Sequence, residues 1–446
     1  MKKIITIFAI VLLTACGGEQ KSTGSNFAKP DPSQPRQWSP VAGQATVEFK
    51  EDLEFLQFIP GLDLSVLPQV AQGRELFVAD WTMAPGSREL LDGLGPLFVS
   101  GACDNCHLVA GRAAALLPSG EIGAGLLFRL GNEAGVVDPH YGGQLQNRAT
   151  VGNPEGTVTW QDTAGKPRFA ITQAGKPLAP GINLGPRQSP QLTGVGLLEL
   201  VPDEQILQRA DPQDSDNNGI SGKAHHLNRE GKDCIGRFGW KAMHCTMRGQ
   251  SAGALQQDMG LTTPLNPAEP CTASQSICDD QPSGGSPEVS EASLTAINEF
   301  LTLLAVPARR VTNQERFNQG ADLFEQVGCD QCHRPTFVTG AHPKFSQLSN
   351  QTIYAYTDLL LHDMGDDLSD GVREGDAMAN EWKTPPLWGI GIIEGRGQSS
   401  FLHDGRAKTI ADAIRWHGGE AASSRSAYNN LSAEQQALLL GFLRAI

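Results

Sequence analysis

Cys103-Asp104-Asn105-Cys106-His107 and Cys329-Asp330-Gln331-Cys332-His333 repeat one pattern, Cys-x-x-Cys-His, at two distant points of the chain. On a helical turn, residues i and i+3 share a face. Both thiols of such a turn can add to the two vinyl groups of one haem, and the adjacent histidine can reach its iron. A lone Cys-x-x-Cys could equally be half a zinc site or a redox dithiol. The paired histidine and the duplication point instead to two covalently bound c-type haems, on Cys103, Cys106 and His107 and on Cys329, Cys332 and His333.

The remaining cysteines fit an exported protein. Lys2 and Lys3 precede an apolar run from Ile4 to Leu13. That run is shorter than the ~20 residues that span a bilayer and matches the apolar part of a secretory signal. Leu13-Thr14-Ala15-Cys16 follows it and resembles the lipobox of bacterial lipoproteins, in which the cysteine becomes the acylated first residue. Gly17, where an Asp would resemble an inner-membrane retention signal, favours the periplasmic side of the outer membrane. Of nine cysteines, Cys16 then serves as lipid anchor and four serve the haems. Cys234, Cys245, Cys271 and Cys278 remain, an even number that an oxidising compartment makes into disulfides. The local pairs Cys234–Cys245 and Cys271–Cys278 are favoured among three connectivities.

Loss of residues 1–15 leaves 33 basic against 49 acidic residues, a net charge of −16. This balance argues against a nucleic-acid partner, because a phosphate backbone needs a basic footprint. With 50 Gly and 28 Pro, the chain is loop-rich yet long enough for more than one core. Residues 16–40 are polar and rich in Pro, Ser and Gly, a flexible tether.

Helix signals cluster around the two motifs. Gly73-Arg74-Glu75-Leu76-Phe77 opens a helix-like segment upstream of the first. Residues 110–230 read as loops with a small β element, of which Thr157-Val158-Thr159-Trp160 is part. Ser290 starts an amphipathic helix bearing Leu294, Ile297, Leu301 and Leu304, and Pro307 stops it. Asn313 to Gln326 form a helix just before the second motif. Thr409 with Asp412, and Ser432 with Gln435, are capping boxes for two closing helices. The expectation is a mainly α protein of two cytochrome c-like haem domains, 41–307 with a loop-rich insertion and 308–446, with long loops.

Three further runs carry a resemblance. Lys383-Thr384-Pro385-Pro386-Leu387, Phe401-Leu402-His403-Asp404-Gly405-Arg406 and Thr409 to His417 resemble the bacterial di-haem cytochrome c peroxidase superfamily. Gly93-Leu94-Gly95-Pro96, Asp211 to Gly222, Gly236 to Ala242, His362-Asp363-Met364-Gly365 and His403 to Ala407 look more closely like its di-haem oxidoreductase family, also called thiol oxidoreductases. The resemblance runs over roughly residues 70 to 446.

It implies that His107 and His333 are proximal iron ligands. Where the peroxidases carry a Met as distal ligand of the second haem, fourteen residues after His403, this chain has His417. A His–His haem sits at lower potential than a His–Met one. The alternatives are that His417 only ends a helix and that Met364 or His362 is the ligand; His403 then supports the haem pocket. The peroxidases also place a Trp between the haems and a Gln ten residues later, near a catalytic Glu. Trp240 and Gln250 keep that separation, which makes Trp240 an electron bridge or, alternatively, a core aromatic. Ten positions beyond Gln250 stands Gly260, so the acid falls to Asp258, with His140 and Tyr141 as other distal candidates. Asp214-x-Asp216-x-Asn218-Gly219 has the alternating oxygens of a calcium loop, but His225 at the twelfth position excludes a full EF-hand, and an Asx-rich turn is the alternative.

The expected function is a periplasmic, peroxidase-like di-haem oxidoreductase with one reactive and one electron-transfer haem. Its partners are then a redox protein that donates or accepts electrons, a small oxidant such as hydrogen peroxide, and the outer membrane. Rivals are a pure electron carrier, a haem-based oxygenase or protein-modifying enzyme, and an accessory lipoprotein of iron uptake.

Overall fold

A computed structural model describes residues 41–446 except 230, 279, 280, 398 and 399. The expected signal peptide (1–15), tether (16–40) and lipid anchor Cys16 lie outside the described residues. Two packed helix pairs frame the structure, and they are built alike. In the first, α1 (Leu67–Val78) packs on α3 (Glu291–Thr302), whose Ser290 side chain accepts a hydrogen bond from the Ser293 backbone and caps its start. In the second, α4 (Gln314–Gln326), capped by Asn313, packs on α6 (Ala433–Ala445), capped by the reciprocal Ser432–Gln435 box. Between α1 and α3 in sequence lies α2 (Met247–Met259), capped by Thr246, and α5 (Ile410–Trp416), capped by Thr409, precedes α6.

Both pairs close on a glycine. A Cβ on Gly73 would stand 2.8 Å from Cβ of Phe300, and one on Gly320 would stand 2.7 Å from Cβ of Phe442. Backbone-close helices therefore require glycine at both places. One turn later, Phe77 meets Phe300 at 5.2 Å between ring centroids, and Phe324 meets Phe442 at 5.3 Å. Gly73 with Phe77 and Gly320 with Phe324 are thus one structural repeat set before each Cys-x-x-Cys-His. Phe77, Phe300, Phe324 and Phe442 are all buried in a single continuous hydrophobic core.

The mainly α expectation needs correction. The structure is 31% helix and 17% strand, a mixed α/β fold with small sheets. The difference comes from residues 110–240, where short alternating runs find local partners. Strand β1 (Leu126–Gly131) pairs antiparallel with β4 (Asn183–Gln188), and between them β2 (Thr157–Thr163) and β3 (Lys166–Thr172) form a hairpin. Leu126, Phe128 and Leu130 alternate inward on β1, so period two rather than 3.6 sets burial here, and Phe128 packs edge-on against Phe169 at 5.0 Å. A further hairpin joins β5 (His226–Arg229) to β6 (Lys232–Ile235). Both favoured disulfides, Cys234–Cys245 and Cys271–Cys278, are present. Among the described residues no helix is long and apolar enough to cross a membrane.

Candidate haem sites

Each Cys-x-x-Cys-His sits on one tight turn, Cys103–Cys106 as a single helical turn and Cys329–Gln331 as a 3-10 turn. These four cysteines are free thiols, unlike the other four described. Burial pushes Cys103, Cys106 and Cys329 up to about 12. Reactive dithiols and zinc thiolates need the opposite shift. Each turn opens onto its own cavity. Cys103, Cys106 and His107 line a first cavity of about 460 Å³, and Cys329, Cys332 and His333 line a second of about 180 Å³.

The histidines are presented in one way. Nδ1 of His107 lies 2.7 Å from the carbonyl of Pro190, and Nδ1 of His333 lies 2.9 Å from that of Tyr356. A carbonyl can only accept, so the proton is on Nδ1 and the lone pair is on Nε2. Burial lowers both groups to about 4, although the carbonyl bonds oppose the shift. Each is therefore a neutral imidazole with a free donor nitrogen, shielded from bulk water and open to a cavity. Phe77 and Phe324 stand 6.5 Å from His107 and His333 respectively, ring centroid to centroid. Thiol pair, oriented imidazole and enclosing cavity fit a haem at both places.

The distal walls differ. His417, at the end of α5, lines the second cavity, and its Nδ1 lies 2.7 Å from the Ala413 carbonyl. Burial again lowers its pKa, so it too offers a free Nε2. Ending a helix and facing the cavity are compatible roles for this residue. Met364 also lines this cavity. His362 is already engaged, with Nε2 2.9 Å from Asp358 and Nδ1 2.6 Å from Glu420. Burial would lower its pKa, but the two carboxylates raise it well above the ordinary value, so it is an imidazolium with no lone pair for iron. His403 is buried and stacked on Trp382 at 3.8 Å.

The first cavity is more polar and is walled largely by α2. Gln250 lines it, and its buried Oε1 has no hydrogen-bond partner. Asp258 lines it as well, with Oδ1 2.8 Å from Nε2 of Gln144, and burial raises its carboxyl pKa. His140 and Tyr141 are not in the lining; the Tyr141 hydroxyl donates to the Lys176 carbonyl at 2.7 Å, away from the cavity. Three groups that local sequence patterns do not flag also face this cavity: His244, Arg129 and Glu374. Glu374 is held by Arg187, which also pairs with Asp370. Its arrival from the C-terminal half leaves no local signal. His244 could have been noticed as the histidine between Trp240 and Gln250.

Trp240 lines both cavities. Its Nε1 donates to the Gln188 carbonyl at 2.6 Å, and its ring meets Trp382 at 6.4 Å and His403 at 6.5 Å. Away from the cavities, carboxylates of Asp211, Asp214 and Asp216 gather within 4.8 Å of one another. Asn218 instead spends its side-chain amide on Asp216 at 2.9 Å.

A solved structure of hydrazine synthase from Kuenenia stuttgartiensis, pressurised with xenon, aligns over 97% of this chain and 100% of that one, at 14% identity and a TM-score of 0.35. A likeness that weak carries no argument about fold or chemistry. No curated protein matches the chain. The family model described as "Di-haem oxidoreductase, putative peroxidase" matches residues 173–446, which include the second Cys-x-x-Cys-His, both carbonyl-oriented histidines of the second cavity, Trp240 and Gln250. On that match the chain belongs to the di-haem oxidoreductase family.

Proposed function

We propose that this protein is a c-type oxidoreductase of two haem-bearing regions, 41–307 and 308–446, in which the first haem meets a small oxidant and the second relays electrons. Cys103, Cys106 and His107 would hold one haem, and Cys329, Cys332 and His333 the other. When bound, each haem would supply a one-electron iron couple, and the first would also supply the chemistry with an oxidant. The observation that carries this division is His417, a neutral histidine with a free Nε2 that lines the second cavity and not the first. It makes the second site the one with two imidazole ligands, suited to electron transfer.

The chain's own groups divide accordingly. Trp240, in the lining of both cavities, is the bridge between them. At the first cavity Gln250 offers an unpaired acceptor, while Gln144 holds the Asp258 carboxyl in place. Hydrogen peroxide is the oxidant and a redox protein supplies the electrons. Calcium binds Asp211, Asp214 and Asp216. The globular part is tethered by acylated Cys16 to the periplasmic side of the outer membrane, which palmitate labelling of wild type but not of Cys16→Ser tests.

Resting-state EPR of the holoprotein tests the core of this reading. It expects one high-spin and one low-spin ferric signal, with only the high-spin one shifting on cyanide or peroxide. Two low-spin signals that ignore both reagents identify a pure electron carrier and end the enzymatic reading.

A further inference from the structure

His244 is the histidine of the first cavity that these roles leave unused. Its neighbour Cys245 is bonded to Cys234, which ties it to the hairpin of β5 and β6. Its carbonyl accepts from the backbone amides of Arg237 and Phe238, each at 2.9 Å. The backbone is thereby pinned on both sides of the ring. The imidazole lies over α2, where glycine makes room: a Cβ on Gly253 would stand 3.0 Å from its Cε1 and 3.3 Å from its Nε2. Gly253 is three residues after Gln250, so ring and amide share one face of the helix. Among the described residues nothing hydrogen-bonds either ring nitrogen of His244, and Oε1 of Gln250 is likewise without a donor. A buried acceptor left unpaired, as Oε1 of Gln250 is, is costly unless a ligand uses it, and the unengaged imidazole of His244 lines the same cavity.

We propose that His244 is the proton-handling group of the first cavity, accepting a proton from a small protic oxidant there and returning it to the departing oxygen, while Oε1 of Gln250 accepts the oxidant's other O–H. Burial keeps the imidazole neutral, lowered to about 4, and Arg229 and Arg129 push the same way against Glu374. Neutrality is what a proton acceptor needs at ordinary pH. The balance closes. His244 takes one proton and gives the same one back. Reduction of peroxide to two waters draws its two electrons from the donor redox protein and its two additional protons from solvent. Asp258 is less suited, since its Oδ1 is committed to Gln144. The proposal rests on reading the first cavity as the oxidant site.

The test compares full-length holoprotein with His244→Ala and Gly253→Ala, by stopped-flow cyanide association and by peroxide consumption across neutral pH. Hydrogen cyanide must lose its proton to bind, so it reports a proton acceptor without any turnover. In His244→Ala both rates should fall about 10²-fold with the resting spectrum unchanged. Gly253→Ala keeps the imidazole but displaces it, should slow cyanide in the same direction, and decides the matter if His244→Ala does not fold. Rates within about twofold of wild type in both variants overturn the proposal, as does a change of spin state in resting His244→Ala, which would make His244 an axial ligand. Should wild type bind cyanide but consume no peroxide, the peroxide reading fails separately; a His244-dependent cyanide rate then still upholds the assignment and an independent one ends it.

Discussion

The two cavities are alike around the thiols and histidines and differ in the rest of their lining. Near the thiols each has a glycine-closed helix pair, two phenylalanines in contact and a histidine whose Nδ1 is tied to a carbonyl. Elsewhere in the lining the second cavity has His417, while the first has Gln250, Asp258, His244 and Arg129. The common part does what any such haem needs, which is to hold the ring and set the tautomer of its ligand. On the proposed reading, the variable part decides whether iron is closed by a second imidazole or left to a reactant. A duplicated frame with unequal linings is how one chain can hold an electron store and a reactive centre side by side.

Five experiments press on that contrast. The largest effect is expected from replacing Cys329 and Cys332 together by Ser, which should leave one haem per chain by pyridine haemochrome and remove the low-spin EPR signal while sparing the high-spin one. Next, His417→Ala should convert the second haem's low-spin signature to high-spin and leave the cyanide rate of the first untouched; a persisting low-spin signal would transfer the ligand role to Met364. Third is Arg187, which pairs with Asp370 and Glu374 and whose side chain is only 8% exposed. Arg187→Met strands two carboxylates beside the first cavity, and denaturant unfolding should register a loss of about 3–5 kcal/mol.

The same cluster carries a pH signature. Burial alone would raise the Glu374 carboxyl, but Arg187 and Arg129 outweigh it and hold it at about 2. Its folded pKa thus lies below the unfolded value of ~4.3. The stability it contributes is complete above that value and is lost as pH falls toward 2. In Glu374→Gln the thermal midpoint should decline less over that window than in wild type, and equal declines would refute the assignment. The smallest effect is expected from Cys271→Ser with Cys278→Ser, which opens a short loop away from both linings. It should cost about 2 kcal/mol and change neither haem spectrum.

Much of this was legible before any coordinates. The haem attachment turns, the caps at Ser290, Asn313, Thr409 and Ser432, and both disulfide pairs follow from neighbours in sequence, because the interactions that make them act over a few residues. Asp258, Gln250 and Trp240 were also legible, through spacing, and all three do line the first cavity. The strand content of residues 110–240 was not, since short runs such as Leu126–Gly131 become strands only when Asn183–Gln188 returns to pair with them. His140 and Tyr141 misled for the related reason that an exposed-looking polar pair does not reveal which cavity it faces.

What the sequence by itself determined is the inventory: two thiol–histidine turns, the Leu13-Thr14-Ala15-Cys16 run, the even remainder of four cysteines and an acidic balance. Covalent pattern and short-range hydrogen bonding specify these without reference to the rest of the chain. Tertiary structure decided which groups line the cavity of each thiol pair: His417 for one, and Gln250, His244 and the Arg187-held Glu374 for the other. Such juxtapositions join residues far apart in the chain, and only the closing of the helix pairs over a common core brings them together.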